Sequence, residues 1–221
     1  MAIAGVPAPS PDEPPLSARR ERTRERLLDA AFDVFSRLGV HAASIETICD
    51  AAGFTRGAFY SNFASKEELL LALVDRHMRA HLASLEATVD ELGDSVVDDH
   101  GVRPDALRTV VAAVLGDRDD QRRWHLVQTE FELMALRDPQ IGAQYNEQQE
   151  RIRQELLDAL GRVLARLGLR FVIPEPEAVD ILVGTYVFGV QQGFLAGGQE
   201  ADDGGAAALL GPLTQLLVTE A

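Results

Sequence analysis

The sequence predicts an all-α protein of about nine or ten helices, with a small three-helix unit near its start and a larger helical domain after it. Three observations carry that prediction. Apolar residues recur at three- and four-residue steps along nearly the whole chain, the spacing of one helical face. No stretch combines two-residue alternation with β-branched enrichment, so no sheet is expected. Ser, Thr or Asp before these apolar runs and Gly or Pro after them supply starts and stops.

The elements follow in order. Over 17–38, Leu27, Leu28, Ala31, Phe32, Phe35 and Leu38 share one face, and Gly39 closes the helix. Ser44 caps a short second helix through Ala52, which carries Ile45, Ile48, Cys49 and Ala52 on one side and is broken by Gly53. Thr55 caps a third helix through Tyr60, and Phe63 ends it. Ser65 and Glu68 form a capping box for a fourth, running to about Leu92. The stretch 93–105 reads as a loop, followed by helices over about 104–115 and 121–136. Asp138-Pro139 then opens a long amphipathic helix to Leu167. Pro174 and Pro176 start an apolar helix stopped by Gly197 and Gly198, and 206–218 is a last helix.

With 221 residues and 46% hydrophobic content the chain can bury a sizeable core. Its single cysteine, Cys49, excludes an internal disulfide framework and suits a reducing compartment. Residues 1–16 carry five prolines and no cation ahead of their mildly apolar residues, so a disordered tail is expected rather than a signal peptide, and cytoplasmic residence with it. The uncharged run 181–199 approaches membrane-spanning length. It holds Thr185, Gln191, Gln192 and five glycines, so a buried helix fits it better than a membrane span.

Two short helices joined by a Gly-containing turn describe a helix-turn-helix. Ala51 and Ala52 allow a close crossing, Gly53 can take a left-handed conformation, and Phe54, Phe59 and Phe63 can anchor the second helix on the first. Thr55, Arg56, Gly57, Ala58, Tyr60, Ser61 and Asn62 are then left facing outward. Arg56 can reach guanine edges or phosphate, Gly57 and Ala58 permit close approach to a groove, and the hydroxyls of Thr55, Tyr60 and Ser61 suit phosphate oxygens. Lys66 adds a cation beside free backbone N–H groups at the start of the fourth helix.

These residues carry a resemblance. The segments RERLLDAAFDVFSRLG and SIETICDAAGFTRGAFYSNFASKEEL resemble the DNA-binding domain of the TetR family of bacterial transcriptional regulators, over about residues 20–74. The resemblance implies a homodimer on double-stranded DNA, with the two third helices in successive major grooves of a pseudopalindromic operator. A small-molecule effector would shift their spacing, and most such proteins repress. It places Arg56, Gly57 and Ala58 near the bases, and Ser44, Thr47, Thr55, Tyr60, Ser61 and Lys66 at phosphates. Ser61 and Asn62 depart from the bulkier residues that the family often has there. The implied organisation is a tail at 1–16, a helix-turn-helix domain at 17–66, and a ligand-binding and dimerisation domain at 67–221.

An overall charge of -14 is at odds with DNA binding until it is divided by segment. Residues 17–66 hold eight basic and six acidic side chains, a balance of +2, and 1–16 carry -2, so 67–221 carry -14. The acidity belongs to the part facing away from DNA, where it disfavours tilted binding. The arginines between Arg19 and Arg26 either reach flanking DNA or form a solvated helix end that pairs with Glu21 and Glu25.

In the large domain, Trp124, Phe131 and Met134 recur on one face with Gln128 beside them, a composition suited to an apolar effector and equally to ordinary core. Tyr145, Tyr186 and Gln191 place polar atoms in apolar helices, where a buried hydroxyl or amide needs a partner. The helices near 144–167 and 177–197 are the dimerisation candidates. The resemblance implies that they form a four-helix bundle with their symmetry mates, and the glycines of the second suit close approach. His77 and His81 are spaced for one face of a helix but have no third ligand in range, so no metal is expected. No phosphate-binding loop, nucleophile elbow or metal-spaced cysteines occur, and no cofactor or catalysis is expected. Two other readings stay open: an activator or effector-free DNA binder, and an all-helical enzyme or sequestering protein for small molecules.

Overall fold

The structure is a computed structural model that describes residues 18–98, 101–103, 105–106, 109–110, 118–196 and 206–221. Eight α-helices are described: α1 (Ala18–Leu38), α2 (Ile45–Ala52), α3 (Arg56–Tyr60), α4 (Lys66–Leu92), α5 (Arg118–Arg137), α6 (Pro139–Arg166), α7 (Glu175–Leu195) and α8 (Ala206–Leu217). The helix expected over 104–115 lies largely outside the described residues, as does the tail at 1–16.

The caps form where the side chains allow them. Ser44 Oγ accepts the Thr47 N–H at 3.0 Å, Thr55 Oγ1 accepts that of Ala58 at 3.2 Å, and Ser65 Oγ accepts that of Glu68 at 3.1 Å. The Glu68 carboxylate reaches back to the Ala64 N–H at 2.6 Å, one residue beyond the usual capping box. Gly53 sits at φ 69°, and its N–H joins the carbonyls of Asp50 and Cys49 to turn α2 into α3.

Two points differ from the expectation of a sheet-free chain. β1 (Val97–Asp98) pairs antiparallel with β2 (Gly101–Val102), and β3 (Leu169–Phe171) with β4 (Val218–Glu220). Strands of two or three residues are too short for alternation to show in sequence. Gly168, at φ +67°, makes the turn that releases β3 from α6, burying Leu169 and Phe171 and exposing Arg170.

The first core is built by α1 to α4 around Leu27, Phe35, Ile48, Phe59, Phe63 and Leu70, and it extends into α5 and α6 through Val127, Phe131 and Ile152. The small unit therefore shares one continuous core with the elements behind it. A second cluster joins Val89, Val96 and Val163, and a third joins Leu157, Phe171, Val179 and Leu217.

Helix α7 is long and apolar enough to cross a membrane, and it corrects the expectation of a buried helix. Only Ala178, Val179 and Gly189 are buried, while Ile181, Val183, Val187, Phe188 and Leu195 are exposed. Among the described residues, that apolar side of α7 is left exposed.

Candidate nucleic-acid interface and effector region

The recognition surface starts from α2 and α3, whose inner sides are fixed by Ile48, Cys49, Phe59 and Phe63. Ser44, Thr47, Thr55, Arg56, Gly57, Tyr60 and Ser61 are exposed, and Ala58 is half-buried. Ser44 Oγ and Thr47 Oγ1 lie 2.9 Å apart, so the first turn of α2 presents paired hydroxyls. Across the turn, Arg56 Nη1 meets Glu46 Oε1 at 2.6 Å, and Nη2 lies 3.5 Å from the Tyr60 hydroxyl. The Glu46 carboxyl is held below the usual range by the backbone hydrogen bond at the helix start and by Arg56.

Several expected contacts are placed differently. Asn62 is buried at 8% exposure, not outward: its amide folds back to donate to the Ala58 carbonyl at 2.8 Å. The Ser61 hydroxyl donates to the Gly57 carbonyl at 2.8 Å, which leaves its lone pairs rather than its proton for a partner. The Lys66 ammonium donates to the carbonyls of Val40 at 2.8 Å and Ala43 at 3.0 Å, tying down the α1–α2 turn and leaving one N–H for an anion.

The arginines of α1 also divide. Arg24 donates to the Asn62 carbonyl at 2.7 Å with its guanidinium 4.3 Å from the Phe63 ring centre. Arg26 donates to the Ala52 carbonyl at 2.8 Å and lies over Phe54. Arg26 thus places a cation at the C-terminal end of α2 and Arg24 just past that of α3, where carbonyls collect partial negative charge. Glu25 pairs with Arg76 of α4 at 2.9 Å rather than with its neighbours. Neither open reading of the 19–26 cluster describes Arg24 and Arg26, which brace the scaffold.

In the larger part, the structure brings Gln128, Phe131 and Tyr145 together. Gln128 Nε2 donates to the Tyr145 hydroxyl at 3.1 Å, that hydroxyl donates to Glu132 Oε1 at 3.1 Å, and the fully buried Phe131 meets the Tyr145 ring edge-on at 5.1 Å. Burial and then the Glu132 charge raise the Tyr145 phenol well above its ordinary range. Met134 packs on the same core. Trp124 stacks on His77 with ring centres 3.7 Å apart and faces Phe32 of α1 at 6.3 Å. Tyr186 is half-buried on α7, its phenol pushed up to about 12 by burial, and Gln191 is exposed on the same helix. Neither shares a hydrogen bond or ring contact with the other five residues. A surface recess of about 400 Å³ lies elsewhere, between α6 and the start of α7, lined by Arg153, Leu157, Arg162 and Glu175.

His77 and His81 have ring centres 4.0 Å apart, and His77 packs on Trp124; both are half-buried rather than freely solvated. No cluster of three His, Cys, Asp or Glu fit for a metal occurs among the described residues. Sequence reasoning missed Glu46, the bracing arginines and Glu130 of α5, whose carboxylate accepts the Val40 N–H in the α1–α2 turn. Their partners lie across a turn or on another element, and no periodicity records that.

A capped α2, a left-handed glycine turn and a short α3 with its polar side exposed define a helix-turn-helix DNA-binding protein. Comparison with known proteins gives the family. Residues 27–73 match the family described as "Bacterial regulatory proteins, tetR family", and residues 104–213 match "BetI-type transcriptional repressor, C-terminal". The chain belongs to the TetR family of bacterial transcriptional regulators, and the proteins it matches are regulators rather than enzymes. It is 29% identical to the HTH-type transcriptional regulator UidR of Escherichia coli K12 over 57% of this chain and 70% of that protein. It is 31% identical to the HTH-type transcriptional activator FasR of Mycolicibacterium smegmatis over 65% of this chain and 61% of that one. Among solved structures, SmeT, the repressor of the Stenotrophomonas maltophilia multidrug efflux pump SmeDEF, superposes with a TM-score of 0.58 at 25% identity, covering 90% of this chain and 92% of that one.

Proposed function

We propose that this regulator is a cytoplasmic homodimeric repressor, released from a pseudopalindromic operator by a small, largely apolar effector. The observation that carries the DNA-contact part is the exposed set of Arg56, Gly57 and Tyr60 on α3 with its capping residues Thr55 and Ser61, presented by a turn in which Ser44 and Thr55 each accept a backbone N–H and Gly53 closes α2. In this reading Arg56, Gly57 and Ala58 lie at the bases. Ser44, Thr47, Thr55, Tyr60 and Ser61 lie at phosphates, joined by the remaining N–H of Lys66. The functional division would be DNA contact over 17–66 and effector binding with dimerisation over 67–221.

Dimerisation is assigned to α6 and α7 on the exposed Ile181, Val187 and Phe188, an apolar face that a second copy would cover. The effector region is assigned to the polar group of Gln128, Glu132 and Tyr145 among Phe131, Met134 and Trp124, with no resident cofactor. Tyr186 and Gln191 would join it only through the assembly of α7. Repression is favoured by the likeness of 104–213 to the C-terminal domain of BetI-type repressors and by the likeness to the repressor SmeT, and activation by the likeness to the activator FasR.

The test is gel shift of the full-length protein on the DNA upstream of its own gene, followed by transcription from that template. A sequence-specific, salt-sensitive shift with transcription lowered is expected. Arg56→Ala with Tyr60→Ala should weaken that shift while leaving the dimer intact. Transcription raised by bound protein would favour activation, and the absence of any specific shift would overturn the assignment of α3.

A further inference from the structure

We infer that Glu46 is a specificity-determining residue: it holds Arg56 neutralised and oriented, so that the recognition surface discriminates against DNA lacking the right base edge. This rests on the proposed role of α3. Arg56 Nη1 contacts Glu46 Oε1 at 2.6 Å, with both side chains more than half exposed on the surface that would face DNA. Ser44, Thr47 and Thr55 are exposed around the pair, so Glu46 is a carboxylate set among groups assigned to phosphates.

An unpaired carboxylate in that position would repel the polyanion. Paired, it cancels the charge of the one cation that α3 carries. Non-specific affinity comes almost entirely from phosphate neutralisation, and a guanidinium already neutralised adds little to it. Pulling Arg56 away to a phosphate would leave Glu46 facing DNA alone.

A guanine edge makes a different demand. It offers two acceptors to a guanidinium fork, and Arg56 has five N–H donors, of which the Glu46 contact occupies one nitrogen. Arg56 can therefore keep Glu46 at its back and present its other N–H groups to the base. The Tyr60 hydroxyl, 3.5 Å from Nη2, borders the same position. Glu46 would thus subtract from binding to any DNA while leaving the fit to the correct base intact. Release of Arg56 would raise affinity for everything and flatten the preference.

The experiment uses the full-length protein, its Glu46→Gln variant and the Glu46→Gln, Arg56→Gln double variant. Each is run through selection from a randomised 30-base-pair duplex pool. Each is then titrated by fluorescence anisotropy on the enriched duplex and on a scrambled duplex of equal composition, at a series of salt concentrations.

For Glu46→Gln, binding to the scrambled duplex should rise about five-fold at low salt, and its salt slope should steepen by about 0.9 for each recognition helix engaged. The preference at one base pair of the enriched site should relax. In the double variant the steeper slope should vanish, because no cation is left to be released. A Glu46→Gln protein with unchanged scrambled-duplex binding and base preference overturns the role of Glu46, as does one in which specific and non-specific binding fall together. If the wild-type protein enriches no sequence, it is the assignment of α3 that fails first.

Discussion

The Glu130 carboxylate on α5 accepts the backbone N–H of Val40 at 2.5 Å. Val40 is fully buried in the turn between α1 and α2, and its carbonyl accepts from Lys66 at 2.8 Å. One peptide segment is thus held from both sides, by the larger part of the chain and by the start of α4. Glu130→Ala would leave the Val40 N–H buried without a partner, a loss of about 1–3 kcal/mol. Glu130→Gln keeps an acceptor and should lose less. Urea unfolding of the three proteins ranks them, and equal stability of wild type and alanine variant would show that the bond adds nothing.

Gly39 precedes that residue at φ +84°, and a Cβ there would stand 2.9 Å from both carboxylate oxygens of Glu130. Gly39→Ala should cost about 1–3 kcal/mol through backbone strain, with crowding of the carboxylate added. Combined with Glu130→Ala, the crowding disappears and the strain remains. The double variant should therefore lose less than the sum of the singles, which a double-mutant cycle of unfolding free energies measures directly.

His77 gives the fold a pH dependence of definite sign. Burial, then the neighbouring His81 and Arg76 charges, hold its pKa down to about 3, against 6.5 in the unfolded chain. Between those values the unfolded state binds the proton and the folded state does not, so stability is fully present above pH 6.5 and falls as pH drops. The slope is about 1.4 kcal/mol per pH unit for one such group. His81 is lowered by burial too and acts in the same direction. Urea midpoints at pH 7.5 and 5.5 should separate for the wild type and separate less for His77→Phe, which keeps a ring against Trp124 and leaves the contribution of His81.

On α7, Phe188 is 54% exposed in the single chain, and on α5 Leu136 is 85% exposed. Phe188→Asp should shift the sedimentation of the protein from dimer to monomer at micromolar concentration and abolish the operator shift. Leu136→Asp, an equal insult outside the assigned interface, should change neither. A Phe188→Asp protein that still sediments as a dimer would remove α7 from the interface.

How much of this was legible in the sequence depends on the distance between partners. Ser44, Thr55 and Ser65 act on N–H groups three residues away, and Gly53 acts on its own backbone, so caps and turn could be read locally. Arg24 reaches a carbonyl 38 residues on, and Glu130 reaches an N–H 90 residues back, distances at which sequence spacing carries no information. Asn62 was misplaced because α3 has only five residues and the chain turns inward directly after it. The apolar run of α7 could be recognised as a surface needing cover, but hydropathy does not distinguish cover by the same chain from cover by another.

The exposed apolar side of α7 has a consequence for gene control. On the assembly proposed above, the form that meets DNA is made from two copies, so at low copy number its abundance follows the square of the amount synthesised. A two-fold change in expression then becomes nearly four-fold in competent regulator. The apolar stripe on α7 would act as a gain control, sharpening the response of the target promoter to the level of its own regulator.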